Sequence, residues 1–234
     1  METSLRFIEH IARTPAAVSC RFRRPQGFTF QAGQYMLLWP EPGGSLVHPL
    51  SFSSGPQEDV LEFTKRLTGS VYCQALERLR PGDRIIGKGP LGSFSAEGVS
   101  GAIVCLAGGI GITPVRSILS DLASRRDPRP VTLIYGNLNE GDIAFEQELA
   151  SLNLPNFRLA HVLQQPGGKL KAYAGFINAE IIRAEVKDIA VSTFLISGPP
   201  GMVKAMEHQL VSLGVGPERI RTDRFLGYAD TAAG

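Results

Sequence analysis

The sequence predicts two units of different class: an N-terminal antiparallel β-barrel and a C-terminal α/β unit built on a parallel sheet. Three observations predict it. Residues 1–95 carry short β-type runs separated by turn-forming residues. After Phe94, apolar β runs alternate with helical periodicity, the pattern of a parallel sheet covered on both faces. Between them, 95–101 is a polar, glycine-bearing stretch, which places the units at 1–97 and 98–234. The 234 residues are enough to bury two cores without disulfide or metal staples.

The elements follow in order. Strands are expected at 5–11, 18–23, 35–39, 50–54, 60–66 and 84–87, punctuated by Pro25-Gln26-Gly27, Glu41-Pro42-Gly43-Gly44, Gly55-Pro56 and Pro81-Gly82-Asp83. One helix interrupts them at 71–80, where Val71, Ala75, Leu76 and Leu79 recur at helical spacing. In the second unit, strands are expected at 102–107, 131–135, 157–162, 193–196 and 219–222, and helices at 114–124, 144–152 and 202–213.

Composition narrows the function. The 24 basic and 22 acidic residues nearly balance, with no long basic block, which disfavours nucleic acid as a partner. Cys20, Cys73 and Cys105 are far apart and odd in number, so they read as reduced thiols of a cytoplasmic protein. Neither they nor the four histidines have metal-ligand spacing, and no metal site is expected. Glu2, Arg6, Glu9 and His10 interrupt any signal peptide, and the longest apolar stretch, 101–115, holds four glycines and is too short for a membrane span.

The most informative segment is Leu106-Ala107-Gly108-Gly109-Ile110-Gly111-Ile112-Thr113-Pro114. It follows a buried strand and leads into a helix, with a proline suited to the first helical turn. Glycines there admit a phosphate close to the backbone, and the helix start offers free N–H groups. A turn that only tightens strand–helix packing is the other reading, because the loop is not the standard GxGxxG.

Read with its neighbours, the loop resembles the ferredoxin–NADP reductase superfamily. The resemblance runs through Phe30-Gln31-Ala32-Gly33-Gln34-Tyr35, His48-Pro49-Leu50-Ser51-Phe52-Ser53-Ser54 and Gly89-Pro90-Leu91-Gly92-Ser93-Phe94. It continues through the glycine loop, Ile134-Tyr135-Gly136, Ser197-Gly198-Pro199-Pro200-Gly201-Met202 and Thr222-Asp223-Arg224-Phe225-Leu226-Gly227-Tyr228. It implies a flavin-binding barrel, a pyridine-nucleotide α/β domain, FAD as cofactor, and NADH or NADPH as hydride donor.

The family's flavin motif is Arg-x-Tyr-Ser; here His48 and Leu50 replace the Arg and Tyr, and Ser51 is retained. The His-Pro start resembles the ferric-reductase variant. The resemblance assigns flavin binding to His48, Pro49, Leu50, Ser51 and Ser54, then to Thr64, Lys65, Ser70 and Cys73, and to Phe225 in the closing segment, where Phe225 and Tyr228 also read as packing residues. It places Ser51, Ser197 (where the family often has Cys) and Asp223 (for the usual Glu) at the reacting centre. Gly108, Gly109, Gly111, Thr113, Pro114, Gly136, Gly198, Pro199 and Met202 are the implied nucleotide site.

Nucleotide preference is open at this stage. Glu140 and Asp142 would repel a 2′-phosphate, whereas Arg116 and Lys204 would favour one if they point inward. The implied acceptor is a separate protein such as a ferredoxin, flavodoxin or oxygenase component. Free flavin or a ferric chelate is the alternative acceptor, and a non-catalytic flavin- or nucleotide-binding module the alternative class.

Overall fold

The computed structural model describes residues 2–225, so the closing-motif residues Leu226, Gly227 and Tyr228 lie outside the described residues. The first unit contains β1 (Glu2–Thr14), β2 (Ala17–Arg23), β3 (Tyr35–Trp39), β4 (His48–Ser51), β5 (Val60–Arg66), α1 (Val71–Glu77) and β6 (Arg84–Leu91). The six strands pair antiparallel in the order β4-β3-β6-β1-β2-β5. A bridge between Phe52 and Phe63 joins the two edges, closing the sheet into a barrel.

Strand alternation explains what the barrel encloses. Phe7, Phe22, Met36, Leu38, Leu61 and Phe63 fill it, and α1 contributes Tyr72 and Leu76. Each fully buried Phe, Leu or Met of this kind contributes about 1.5–3 kcal/mol relative to exposure. On β5 the intervening residues, Glu62 and Thr64, are buried too. Their face is polar and lies against the second unit, through a chain of hydrogen bonds described below.

The second unit contains β7 (Ile103–Gly108), α2 (Ile112–Ser124), β8 (Val131–Asn137), α3 (Glu146–Ala150), β9 (Phe157–Leu163), β10 (Ala172–Ala174), α4 (Ala179–Glu185), β11 (Thr193–Gly198), α5 (Pro200–Ser212) and β12 (Ile220–Arg224). All six strands are parallel, ordered β10-β9-β8-β7-β11-β12. Residues of β7 alternate between two cores: Ile103, Cys105 and Ala107 pack with α2, Val104 and Leu106 with α4 and α5. The antiparallel barrel and parallel α/β sheet are therefore as expected from the two sequence rhythms.

Three local differences have physical causes. Helix α2 starts at Ile112, so Pro114 occupies its third position; the first four helical N–H groups lack intrahelical partners, and a proline is tolerated there. Strand β10 was not expected because it is three residues long at the sheet edge. Helix α4 was not expected either, its apolar face being short; Asn178 caps it by accepting N–H bonds from Glu180 and Ile181 at 3.0 Å.

Candidate functional site

The strand order places the site. From β7 the chain winds outward through β8, β9 and β10, then returns to place β11 on the other side of β7. The carboxyl ends of β7 and β11 therefore flank the point where the order reverses, where open α/β sheets bind ligands. A cavity of about 700 Å³ lies there, lined by the end of β7, by Pro199 just beyond β11, by β8, by one face of α5 and, from the barrel, by Thr14, Ala16, Ala17 and Arg66.

Of the nucleotide residues implied by sequence, Gly108, Gly109, Gly136, Pro199 and Met202 line this cavity. Gly111, Thr113, Pro114 and Gly198 do not line it. The loop's glycines thus divide by role. Gly109 has φ +51° and nothing within 4 Å of where a Cβ would stand, so its backbone is bare toward the opening. A Cβ on Gly111 would lie 2.3 Å from the Ser197 carbonyl oxygen, and one on Gly108 2.2 Å from Met202 Sδ. Those two glycines let the loop lie against the β11–α5 turn. The packing reading holds at Gly108 and Gly111, while Gly109 leaves its backbone facing open space. Thr113 donates its hydroxyl to the Ile110 carbonyl at 3.1 Å, fixing the loop from within.

The remaining lining was not read from sequence as a site. Ala205, Met206 and Gln209 follow the expected Met202 at helical spacing along α5. Gln209 Oε1 is buried without a hydrogen-bond partner, an acceptor held ready at the wall. Phe176 lines the cavity although 71% exposed; it lies between two elements, β10 and α4, that the sequence pattern did not reveal. Arg66 and Asp142 are the charged lining residues.

Arg116 and Lys204 do not line the cavity. Arg116 turns to the barrel instead, donating to the Ser53 carbonyl at 2.6 Å and pairing with Glu58 at 3.0 Å and Glu148 at 2.9 Å. Glu140 is held on the surface, its carboxylate accepting the Gly167 N–H at 2.6 Å; backbone hydrogen bonds keep its carboxyl below the ordinary range.

On the barrel, His48 and Tyr72 meet with ring centroids 4.1 Å apart, and Lys65 Nζ lies 5.8 Å from the Tyr72 ring centroid. Burial, then Lys65, lowers the His48 pKa below its usual value, so His48 is neutral at pH 7 and Lys65 is the cation of the group. Pro49 is exposed, while Leu50 and Ser51 are buried. Ser54 Oγ accepts the Glu62 N–H at 3.0 Å, and Thr64 Oγ1 bonds Ser19 and Ser53 at 2.7 and 2.8 Å. Those two hydroxyls are thereby engaged within the fold. Ser70 caps α1, accepting the Cys73 N–H at 3.3 Å. The Cys73 thiol is buried, which would raise its pKa, but hydrogen bonds from Ser70 and Thr68 bring it below the usual thiol value.

At the junction, Ser197 stands opposite Asp223 in the β11–β12 register. Ser197 Oγ is buried and makes no hydrogen bond. Burial lifts the Asp223 carboxyl to about 6. Phe225 donates its N–H to the Gly198 carbonyl at 3.0 Å, and Ser51 is buried at the end of β4 on the barrel. Among the described residues no cluster of His, Cys, Asp and Glu could hold a metal, and no helix is long and apolar enough to cross a membrane.

Comparison with known proteins agrees with this geometry. The model of the oxidoreductase NAD-binding domain matches residues 105–208. The chain is 26% identical over 228 residues to the toluate 1,2-dioxygenase electron transfer component of Pseudomonas putida, covering 95% of this chain and 66% of that protein. It is 35% identical over 146 residues to NADH-cytochrome b5 reductase 1 of Dictyostelium discoideum, covering 60% of this chain and 51% of that one. The chain thus spans between half and two thirds of these relatives' length. Among solved structures, the Amycolatopsis cytochrome P450 reductase GcoB superposes with a TM-score of 0.84 at 26% identity, covering 96% of this chain and 70% of that one. A ferredoxin NADP+ reductase from Neisseria gonorrhoeae with bound FAD and NADP superposes with a TM-score of 0.83 at 23% identity, covering 95% and 98%. The chain thus carries a match to the oxidoreductase NAD-binding domain over 105–208 and shares its two-domain fold with these reductases.

Proposed function

We propose that this chain is an NADH-dependent reductase that uses FAD to pass electrons to a separate protein acceptor of the ferredoxin, flavodoxin or oxygenase-component type. The observation that carries the reading is the cavity at the reversal of strand order, walled by the α/β unit and reached by the barrel residues Thr14, Ala17 and Arg66. A dinucleotide seated there would run along the bare backbone at Gly109, with Arg66 offering charge to its pyrophosphate and Gln209 an acceptor. Phe176 offers the adenine an exposed ring to stack on.

The flavin would be held by the segment from His48 to Ser51, with Lys65 supplying positive charge and α1 closing one side. Ser197 fits a group that needs a hydrogen bond at the junction, because its hydroxyl is otherwise unmatched. When bound, FAD supplies the exchange of two-electron for one-electron transfer. The protein's part is to hold the nucleotide in line and to exclude water. Asp223, with its carboxyl near 6, holds or releases a proton close to neutral pH.

The choice of NADH rests on charge. A 2′-phosphate is gripped by cations near the end of the second strand, here β8. That end carries Asp142 and Glu140, while Arg116 is engaged with the barrel. Anaerobic mixing of the FAD-loaded protein with NADH and with NADPH, followed by flavin absorbance, tests both parts. Rapid bleaching by NADH and at least tenfold poorer kcat/KM for NADPH are expected. No bleaching by either nucleotide would leave only a binding module, and turnover of added free flavin by a colourless protein would favour a flavin reductase.

A further inference from the structure

The unit-spanning contacts converge on a strained residue that the reading above does not use. Phe145, the residue before α3, has φ +62° and ψ +21°, the left-handed region where a bulky side chain crowds its own backbone. It is also buried, at 4% exposure. Strain of this kind persists only where the surroundings impose it, and it gathers at functional positions.

The surroundings are two arginines, one from each unit. The Arg13 guanidinium, from the barrel, stands 4.4 Å from the Phe145 ring centroid, and that of Arg116, from α2, stands 5.4 Å from it. Both arginines also bind Glu148, one turn further along, through its two carboxylate oxygens. Each then continues into the barrel. Arg13 pairs with the fully buried Glu62 at 2.8 Å, and Arg116 donates to the Ser53 carbonyl at 2.6 Å. The next residue of α2, Ser117, donates to the next carbonyl, that of Ser54, at 2.7 Å.

These contacts join two particular places. Helix α2 begins directly after the glycine loop, and Ser53 lies two residues beyond Ser51 in the flavin segment. We propose that Phe145, gripped between Arg13 and Arg116, is a clasp that fixes the nucleotide loop relative to the flavin segment and so sets the distance over which the hydride moves. Arg13, Arg116 and Phe145 are positioning residues. They touch neither partner of the reaction but hold the two half-sites in register, and hydride transfer loses rate steeply with small misplacement. The proposal rests on the reductase reading.

The test uses the full chain in two arms. In the first, without flavin or nucleotide, hydrogen–deuterium exchange is compared between the parent and the variants Arg116→Met and Phe145→Ala. Protection is expected to fall at least tenfold over 13–17, 53–58 and 145–150, with β7 and β8 unchanged. In the second, FAD-loaded protein is mixed anaerobically with saturating NADH. The limiting bleaching rate is expected to fall at least tenfold, the Kd for NADH to move less than twofold, and Arg116→Lys to recover part of the rate.

A limiting rate within twofold of the parent overturns the proposal, whatever the exchange data show, because the clasp would then be structural only. Unchanged exchange over the three segments overturns it as well. Where Arg116→Met loses protection throughout, Glu148→Gln replaces it, with a threefold loss of rate expected and an unchanged rate overturning the clasp. A parent protein that neither nucleotide bleaches sinks the reductase reading instead, and the exchange arm still judges whether the clasp joins the units.

Discussion

A carboxyl group reports its surroundings through the pH at which it titrates. Asp223 is shielded by its position in β12, and burial lifts it to about 6 from an ordinary value of about 4. The folded chain therefore binds this proton more tightly than the unfolded chain does. Between pH 4 and 6 the native state holds more protons, so the stability from this group is present below about pH 4 and is lost as pH rises through 6. Asp223→Asn removes that loss. Thermal unfolding of parent and variant should converge near pH 4, with the variant more stable at pH 7; a constant gap would show that burial does not govern the group. The residue was legible from sequence, but its burial was not, because that depends on how β12 packs beside β11 in the folded sheet. His48 gives the opposite lesson. The family motif it resembles was legible, yet its lowered pKa comes from burial and from Lys65 on the next strand, β5.

At the scale of elements, the glycine loop separates what a residue does for folding from what it does for binding. Alanine at Gly109 carries the left-handed φ penalty of about 1 kcal/mol and clashes with nothing. Its methyl group enters the space where a pyrophosphate would approach. Alanine at Gly111 meets the Ser197 carbonyl at 2.3 Å and must push β11 or the loop aside, at about 1–3 kcal/mol. Urea unfolding and NADH titration should therefore divide the pair: Gly109→Ala weakens binding at least tenfold with little loss of stability, and Gly111→Ala loses the greater stability. Equal effects on both measurements would return the loop to a single role. The strand and helix of this loop were visible in the sequence because a buried apolar run and a 3.6-residue period are local signals. The cavity's far wall was not. It is built by Phe176 between a three-residue edge strand and a seven-residue helix, neither long enough to show a period.

For the whole molecule, the two-unit plan was readable from the change of rhythm after Phe94, but the joint between the units was not. That joint depends on which faces meet, and its hub is a carboxylate placed where alternation along β5 gives a buried face. Glu62 is fully buried and binds Arg13 at 2.8 Å, Arg21 at 2.7 Å and Ser19 at 2.9 Å. Burial alone would raise its pKa, but Arg13, Arg21 and Arg116 outweigh burial and hold it below the ordinary 4.5. Its contribution to stability is therefore present above pH 4.5 and is lost as pH falls through the lower folded value. Removing the carboxylate takes the buried partner from two guanidinium groups, one of them nine-tenths buried, and leaves them only the more exposed Glu148 and Glu9. Glu62→Ala should then cost about 3–5 kcal/mol at pH 7, the range for breaking a buried pair from one side. Replacing Glu62 and Arg13 together by methionine should cost less than the sum of the single changes, since the most buried guanidinium leaves together with its buried carboxylate. Urea unfolding at pH 7 and at pH 3 decides the point: the gap between parent and Glu62→Gln should narrow at the lower pH, which lies below the ordinary 4.5 at which the unfolded chain's carboxylate takes up its proton. A gap of the same size at both values would mean that Glu62 acts through shape and hydrogen bonding, and that charge at the joint adds nothing.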